Sequence, residues 1–351
     1  MTFMSQPASL DGTLKYPCGD APPTGAVRPV APGVWWLRMP LPMAGLAHIN
    51  VWALEDHDGL TLVDTGMHTP AAMEGWQRAL GGPLAARPVR RVICTHMHPD
   101  HVGLAGWLSQ LHDCRLWMTR LEYVVCRMLV ADTGRTAPAD ALRFYRSAGW
   151  DVEALEQYRA RFGAFGRAVH PLPDSYRRVV DGETLAVGNR IWRAVIGQGH
   201  SPEHLCLHCP EDGLFISGDQ VLPRITSNVS VFPTEPEADP LREWLASLAR
   251  VASQVSDEVL VLPSHNEPFR GLHARLQALA AGHEARLAAV YAALATPRRA
   301  VDLFEVIFRR PIGPEMLLMA TGESIAHLNC LVGRGHATRS LASDGVLWYR
   351  R

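Results

Sequence analysis

Lysine is all but missing from this chain. Of its 34 basic residues only Lys15 is not arginine, and against 35 acids they leave a net charge of −1. A balance so near neutral, with a pI near 7.0, excludes a protein built to coat nucleic acid or an anionic membrane by charge alone. No apolar run approaches the roughly 18 residues of a spanning helix. Met1 to Val27 is rich in Pro, Gly, Ala and Asp and holds no apolar core of the roughly 7–15 residues that a secretion signal carries. The expectation is a cytoplasmic chain with no membrane partner. The seven cysteines, at 18, 94, 114, 126, 206, 209 and 330, fall mostly in apolar runs, so buried free thiols are expected. Cys206 and Cys209 form a C-x-x-C inside a strand-like run, where residues three apart face opposite ways. A Gly-x-Ser-x-Gly elbow is also missing, and with it one common route to a serine nucleophile.

What the chain does have is concentrated in Thr95-His-Met-His-Pro-Asp-His101. Imidazole and carboxylate are the ligands that zinc, iron and manganese take. The heptad follows the apolar run Val89 to Cys94, so His96 and His98 leave a strand end able to converge on one cation. Asp100 and His101 lie further round the turn and face a neighbouring position. Three more strand-like runs end in the same residue types. Arg190 to Gly199 leads into His200, Gly213 to Gly218 into Asp219, and Glu258 to Ser264 into His265. Taken singly, each would read as a cap or turn residue.

In this order the motifs resemble the metallo-beta-lactamase superfamily. The match extends upstream to Leu60-Thr-Leu-Val-Asp-Thr-Gly66 and covers about residues 27 to 295. The resemblance implies an α/β fold, an αββα sandwich of two mixed sheets with helices outside. It also implies a site residue by residue. One metal would sit on His96, His98 and His200, a second on Asp100, His101 and His265, with Asp219 bridging the two. Two divalent ions are thus expected, zinc first, with iron and manganese also suited to the donors. A water bridging them would have its pKa drawn toward about 7 and attack as hydroxide. Asp64 would fix the tautomer of a ligand imidazole, and Asp100 would assist proton transfer. The class B beta-lactamases similar to this core carry cysteine or serine where Asp219 stands. Aspartate there resembles the glyoxalase II, lactonase and nuclease branches.

The remaining chain is organised around that core. Residues 1–26 read as an N-terminal arm. Between about 119 and 178, apolar spacing predicts an inserted helical element over Leu121 to Ala131, Ala137 to Ala148 and Val152 to Arg161, in the place where related enzymes cover their substrate. Tyr176 and Arg177 beyond it are candidates for substrate contact, against a packed tyrosine and a solvated arginine. Arg224 is a third, able to hold an anionic group or to pair with the acids of Glu235 to Asp239. Residues 296–351 read as three short helices, Ala300 to Phe308, Glu315 to Ala320 and Glu323 to Val332, followed by a hairpin at Ser343-Asp-Gly345. That order resembles a winged helix. Its last helix is nearly uncharged, which favours packing or a homodimer over base readout.

The functional expectation is a dinuclear metal-dependent hydrolase acting on a small thioester, ester or lactone. The alternative is a nuclease or phosphodiesterase acting on single-stranded RNA. The arginine pairs at 298–299, 309–310 and 350–351 would serve the second, although such pairs are usually a solvated face.

Overall fold

The computed structural model describes residues 13–43, 45–308 and 311–351; Met1 to Gly12 of the expected arm, Ala44 and the pair Arg309-Arg310 lie outside these. Seven strands form one sheet in chain order: β1 (Arg28–Ala31), β2 (Val34–Met43), β3 (Leu46–Asp56), β4 (Gly59–Val63), β5 (Val89–Ile93), β6 (Arg115–Met118) and β7 (Arg177–Arg178). The first four pair antiparallel across short turns. From β4 onward pairing is parallel, because helices intervene. These are α1 (Pro70–Gly81), then α2 (Pro99–Val102) with α3 (Ala105–Leu111), then the insertion α4 (Arg120–Ala131), α5 (Ala139–Ser147) and α6 (Val152–Arg161). Thr69 caps α1 by accepting from the Ala72 amide, with Pro70 at its first position, as the Thr-Pro pair predicts.

The second sheet has the order β12-β11-β10-β9-β8, built from β8 (Thr184–Val187), β9 (Arg190–Gly197), β10 (His204–Cys209), β11 (Leu214–Gly218) and β12 (Leu260–Pro263). Only β11 and β12 run parallel, and α7 (Pro240–Gln254) makes their crossover.

Three apolar clusters show the layering. Trp36, Trp52, Val63 and Ile93 of the first sheet meet Trp192, Leu205, Ile216 and Leu262 of the second in the sandwich interior. The outer face of the first sheet packs through Leu37, Met39 and Leu62 on Trp76 and Leu108 of its helices. The outer face of the second packs through Val195, Phe215 and Val261 on α7 and on α8 (Leu272–Ala293). The result is the expected αββα sandwich. Cys206 faces the outer cluster and Cys209 the interior, and all seven cysteines are free.

The C-terminal part has the expected first helical segment and hairpin and departs from expectation in the helix between them. A 3-10 turn at Ala300–Leu303 and one turn of α9 (Phe304–Ile307) lead to a single long helix, α10 (Leu317–Gly333), then to a hairpin of β13 (Thr338–Leu341) and β14 (Leu347–Arg350). Two helices were expected where α10 runs unbroken, with Thr321-Gly322 as the interruption. Thr321 instead returns its hydroxyl to the Leu317 carbonyl one turn back. Gly322 serves close approach rather than a break, since a Cβ there would lie 2.7 Å from that of Ser230. Nor is α10 a surface helix: every residue from Ala320 to Leu331 is buried. The described part of the arm also packs, pairing Lys15 with Arg270 through two backbone hydrogen bonds. No described helix is long and apolar enough to cross a membrane.

Candidate metal centre

The ends of β4, β5, β9, β11 and β12 meet at one edge of the sandwich, and each delivers a polar residue there. Backbone bonds stitch the two sheets together at this edge. Leu205 donates to the Thr95 carbonyl at 2.7 Å, and Asn50 donates to the Ser264 carbonyl at 2.7 Å. The Asn50 amide reaches the carbonyls of Pro263 at 2.8 Å and Asn266 at 2.6 Å. The site is therefore braced from both layers.

The seven residues expected as ligands converge. His96 Nε2 lies 2.9 Å from His98 Nδ1 and 3.3 Å from His200 Nε2. On the other side, Asp100 Oδ2 lies 3.6 Å from His101 Nε2 and 3.4 Å from His265 Nε2. Asp219 spans the two groups. Its Oδ2 is 3.4 Å from His200 Nε2, and its Oδ1 is 3.5 Å from both His101 Nε2 and His265 Nε2. The sets His96–His98–His200, His96–His101–Asp219 and Asp100–His101–His265 each bring their donor atoms within 4.8 Å of one another.

The outward nitrogens fix which way the lone pairs point. His200 Nδ1–H donates to the Asn228 carbonyl at 2.7 Å, and His265 Nδ1–H to the His48 carbonyl at 3.1 Å. His101 Nδ1–H donates to Asp64 Oδ2 at 2.8 Å. The Thr95 hydroxyl donates to the same oxygen at 2.9 Å, leaving its own oxygen to accept from His96 Nδ1 at 3.0 Å. Asp64 is 1% exposed, accepts the Thr95 amide as well, and stands at φ 60°. All four imidazoles thus hold a proton outward and turn Nε2 into the centre.

Electrostatics favour a cation. Burial and neighbouring imidazoles hold His96 well below the ordinary histidine range and bring His98 to about 3. Burial would raise Asp100 and Asp219, but the adjacent imidazoles outweigh it and both carboxyls titrate low. Burial would likewise lower His101, and the carboxylates of Asp100, Asp219 and Asp64 instead raise it well above the usual range. Unprotonated His96 and His98 and the ionised carboxylates of Asp100 and Asp219 thus share one buried space. His101 Nε2 and Asp219 Oδ1 are buried there with no hydrogen-bond partner, a costly arrangement unless something between them accepts their lone pairs. Divalent ions fit the donor set.

Two residues outside the ligand series complete the local frame. His204 Nε2 accepts the Asp219 amide at 3.0 Å, so it holds Asp219 in place from the start of its strand. Glu122, wholly buried on α4, accepts from the Met97 amide at 2.9 Å, the Ser201 hydroxyl at 2.6 Å and the Glu203 amide at 2.8 Å. No motif marks Glu122 in the sequence; its partners are a backbone amide 25 residues back and groups some 80 residues ahead.

Each candidate for substrate contact has a partner within the chain. Tyr176 stacks on Tyr123 with ring centres 3.9 Å apart. Arg177 pairs with Glu183 and lies 4.4 Å over the Trp117 ring. Arg224 pairs with Glu267 at 2.9 Å and covers Tyr16 at 4.4 Å. Its acid is thus two residues beyond His265, not in Glu235 to Asp239.

Fold and donors together define an α/β sandwich protein with a metal-binding centre at one sheet edge. The chain belongs to the metallo-beta-lactamase superfamily: that family's model matches residues 44–265. A second model, the metallo-beta-lactamase-like C-terminal domain, matches residues 287–351. A beta-lactamase domain protein from Burkholderia ambifaria has a similar solved structure, with TM-score 0.88 and 42% identity over 97% of this chain and 99% of that one. A probable metallo-hydrolase of Bacillus subtilis is 25% identical over 69% of this chain and 74% of its own. An atrochrysone carboxyl ACP thioesterase of Aspergillus fumigatus is 33% identical, over 24% of each chain. Family, fold and donor set make this protein a metallo-hydrolase of the superfamily.

Proposed function

We propose that the chain is a dinuclear hydrolase of small thioesters, esters or lactones. The observation that carries this reading is Asp219, whose two oxygens face the two histidine groups separately. An aspartate so placed suits a pair of divalent ions, zinc first. When bound, such ions lower the pKa of water and polarise an acyl carbonyl. The protein's own residues do the rest. His96, His200, His101 and His265 present lone pairs in fixed directions, and His98 adds a ring nitrogen beside His96. Asp64 and Thr95 hold the tautomers of two of them, and Asp100, ionised at rest, would take up the proton that the attacking water releases and hand it to the leaving group. Sequence similarity to a thioesterase supports acyl transfer over phosphoryl transfer. Burial of α10 leaves it no face for reading nucleic acid, which weighs against the nuclease alternative.

The test is turnover by metal-loaded protein on acyl-thioesters, lactones, aryl esters, phosphodiesters and short single-stranded RNA, with Asp219→Ala as the blank. Thioester, ester or lactone hydrolysis is expected, reduced at least a hundredfold by the substitution. Cleavage of only the phosphodiester or RNA would move the function to the nuclease branch. Undiminished turnover by the variant would sink the dinuclear reading.

A further inference from the structure

The helical insertion begins against the metal loops. Its first turn is tied to the segment after His200 by three bonds: the Thr119 hydroxyl donates to the Glu203 carbonyl at 2.8 Å, the Leu121 amide donates to the Glu203 carboxylate at 2.8 Å, and Glu122 accepts the Glu203 amide. Glu122 also reaches the other loop. Its Oε2 accepts the amide of Met97, which sits between His96 and His98, while its Oε1 accepts the hydroxyl of Ser201, which follows His200. A buried carboxylate is costly to desolvate and persists only where donors satisfy it. Here three donors do so, and they come from two loops that the chain separates by about a hundred residues. All three imidazoles of the His96, His98 and His200 group lie within one residue of a donor to this one side chain.

We propose that Glu122 is a positioning residue that sets the spacing of the two histidine loops, so that the inserted helix α4 governs metal affinity at His96, His98 and His200. The carboxylate touches none of the ligands. It acts by holding their backbones at a distance that three imidazoles and one cation require. Glutamine cannot replace it. Its oxygen can serve the Ser201 and Glu203 donors, but its NH2 would then face the Met97 N–H, donor against donor. The loop carrying His96 and His98 would be released. A helix that merely caps the site would leave affinity unchanged on the same substitution.

This rests on the metal-hydrolase reading only in that the triad takes a cation, so the test measures zinc binding rather than turnover. Apoprotein of the wild type, Glu122→Gln and Ser201→Ala is titrated with zinc ion against a chromogenic chelator, and the melting temperature of each apoprotein is recorded. Asp151→Ala serves as control, since it removes the cap of α6, an acceptor for the Ala154 amide, without touching the metal loops. Glu122→Gln is expected to bind zinc about 10–100-fold more weakly, the range for lost partners around metal ligands. Ser201→Ala, which removes one donor of three and should fold even if the glutamine variant does not, is expected to lose several-fold. Asp151→Ala should lower the melting temperature and leave affinity alone. Wild-type zinc affinity in Ser201→Ala and in folded Glu122→Gln would overturn the role of Glu122 while leaving the metal reading intact. A wild type that takes up no zinc would overturn both.

Discussion

Gly218 shows how little freedom the centre leaves a single residue. It stands at φ 53°, and a Cβ there would lie 2.4 Å from Cε1 of His204, the imidazole that accepts the Asp219 amide. Gly218→Ala therefore has to displace His204, and with it the aspartate next in sequence. Overpacking and a lost buried hydrogen bond together cost about 2–4 kcal/mol. The variant is expected to unfold at correspondingly lower denaturant and to retain fewer than two metals per chain by elemental analysis. Full metal content would show that the backbone can absorb the change. At this scale the sequence was most legible for the ligands themselves, because four of the seven stand in one heptad and the other three each lie within three residues of a strand end. His204 lies at the start of β10 with nothing in the sequence to name its partner. Asn228 and His48 were not visible in these roles at all. They act through backbone carbonyls, which every residue has, so no side-chain pattern announces them.

Helices and strands were readable from apolar spacing, and their packing was not. The insertion divides between two cores: Tyr123 and Cys126 of α4 join the cluster outside the first sheet, while Phe144 and Leu155 of α5 and α6 join that outside the second. The long helix α10 carries the clearest consequence. Glu323, fully buried on it, holds the Asn228 amide at 2.8 Å, and the carbonyl of that same Asn228 receives His200. Burial raises the Glu323 carboxyl from 4.5 to about 8, with Arg286 and Asn228 opposing. Between those values the folded chain keeps a proton that the unfolded chain has released, so stability must fall as pH rises through this window. On the order of 2–4 kcal/mol is at stake between pH 5 and 8. Glu323→Gln should abolish that loss, as read from urea midpoints across the range. Parallel curves for the two proteins would show that Glu323 titrates normally.

Across the whole molecule, the sandwich, the insertion and the C-terminal helices share their interior. Val195 and Phe215 of the second sheet belong to the same cluster as Leu303, Ile307, Leu328 and Tyr349. Trp150 of the insertion donates to Thr321 of α10 at 2.8 Å, and Val231, twelve residues past Asp219, donates to the Gly322 carbonyl. Sequence patterning marked the late segments as added elements without showing that they brace the metal loops from behind. Buried apolar residues on short helices look alike whichever neighbour covers them. What the whole arrangement serves is a centre in which imidazole nitrogens and carboxylate oxygens converge in one buried space that suits a cation. The most direct measurement is a titration of metal-free protein with zinc ion, following acyl-thioester hydrolysis and bound metal together. Turnover should be absent without metal and rise to a plateau at two ions per chain. Hydrolysis by the metal-free chain, or a plateau reached with no metal taken up, would contradict the account.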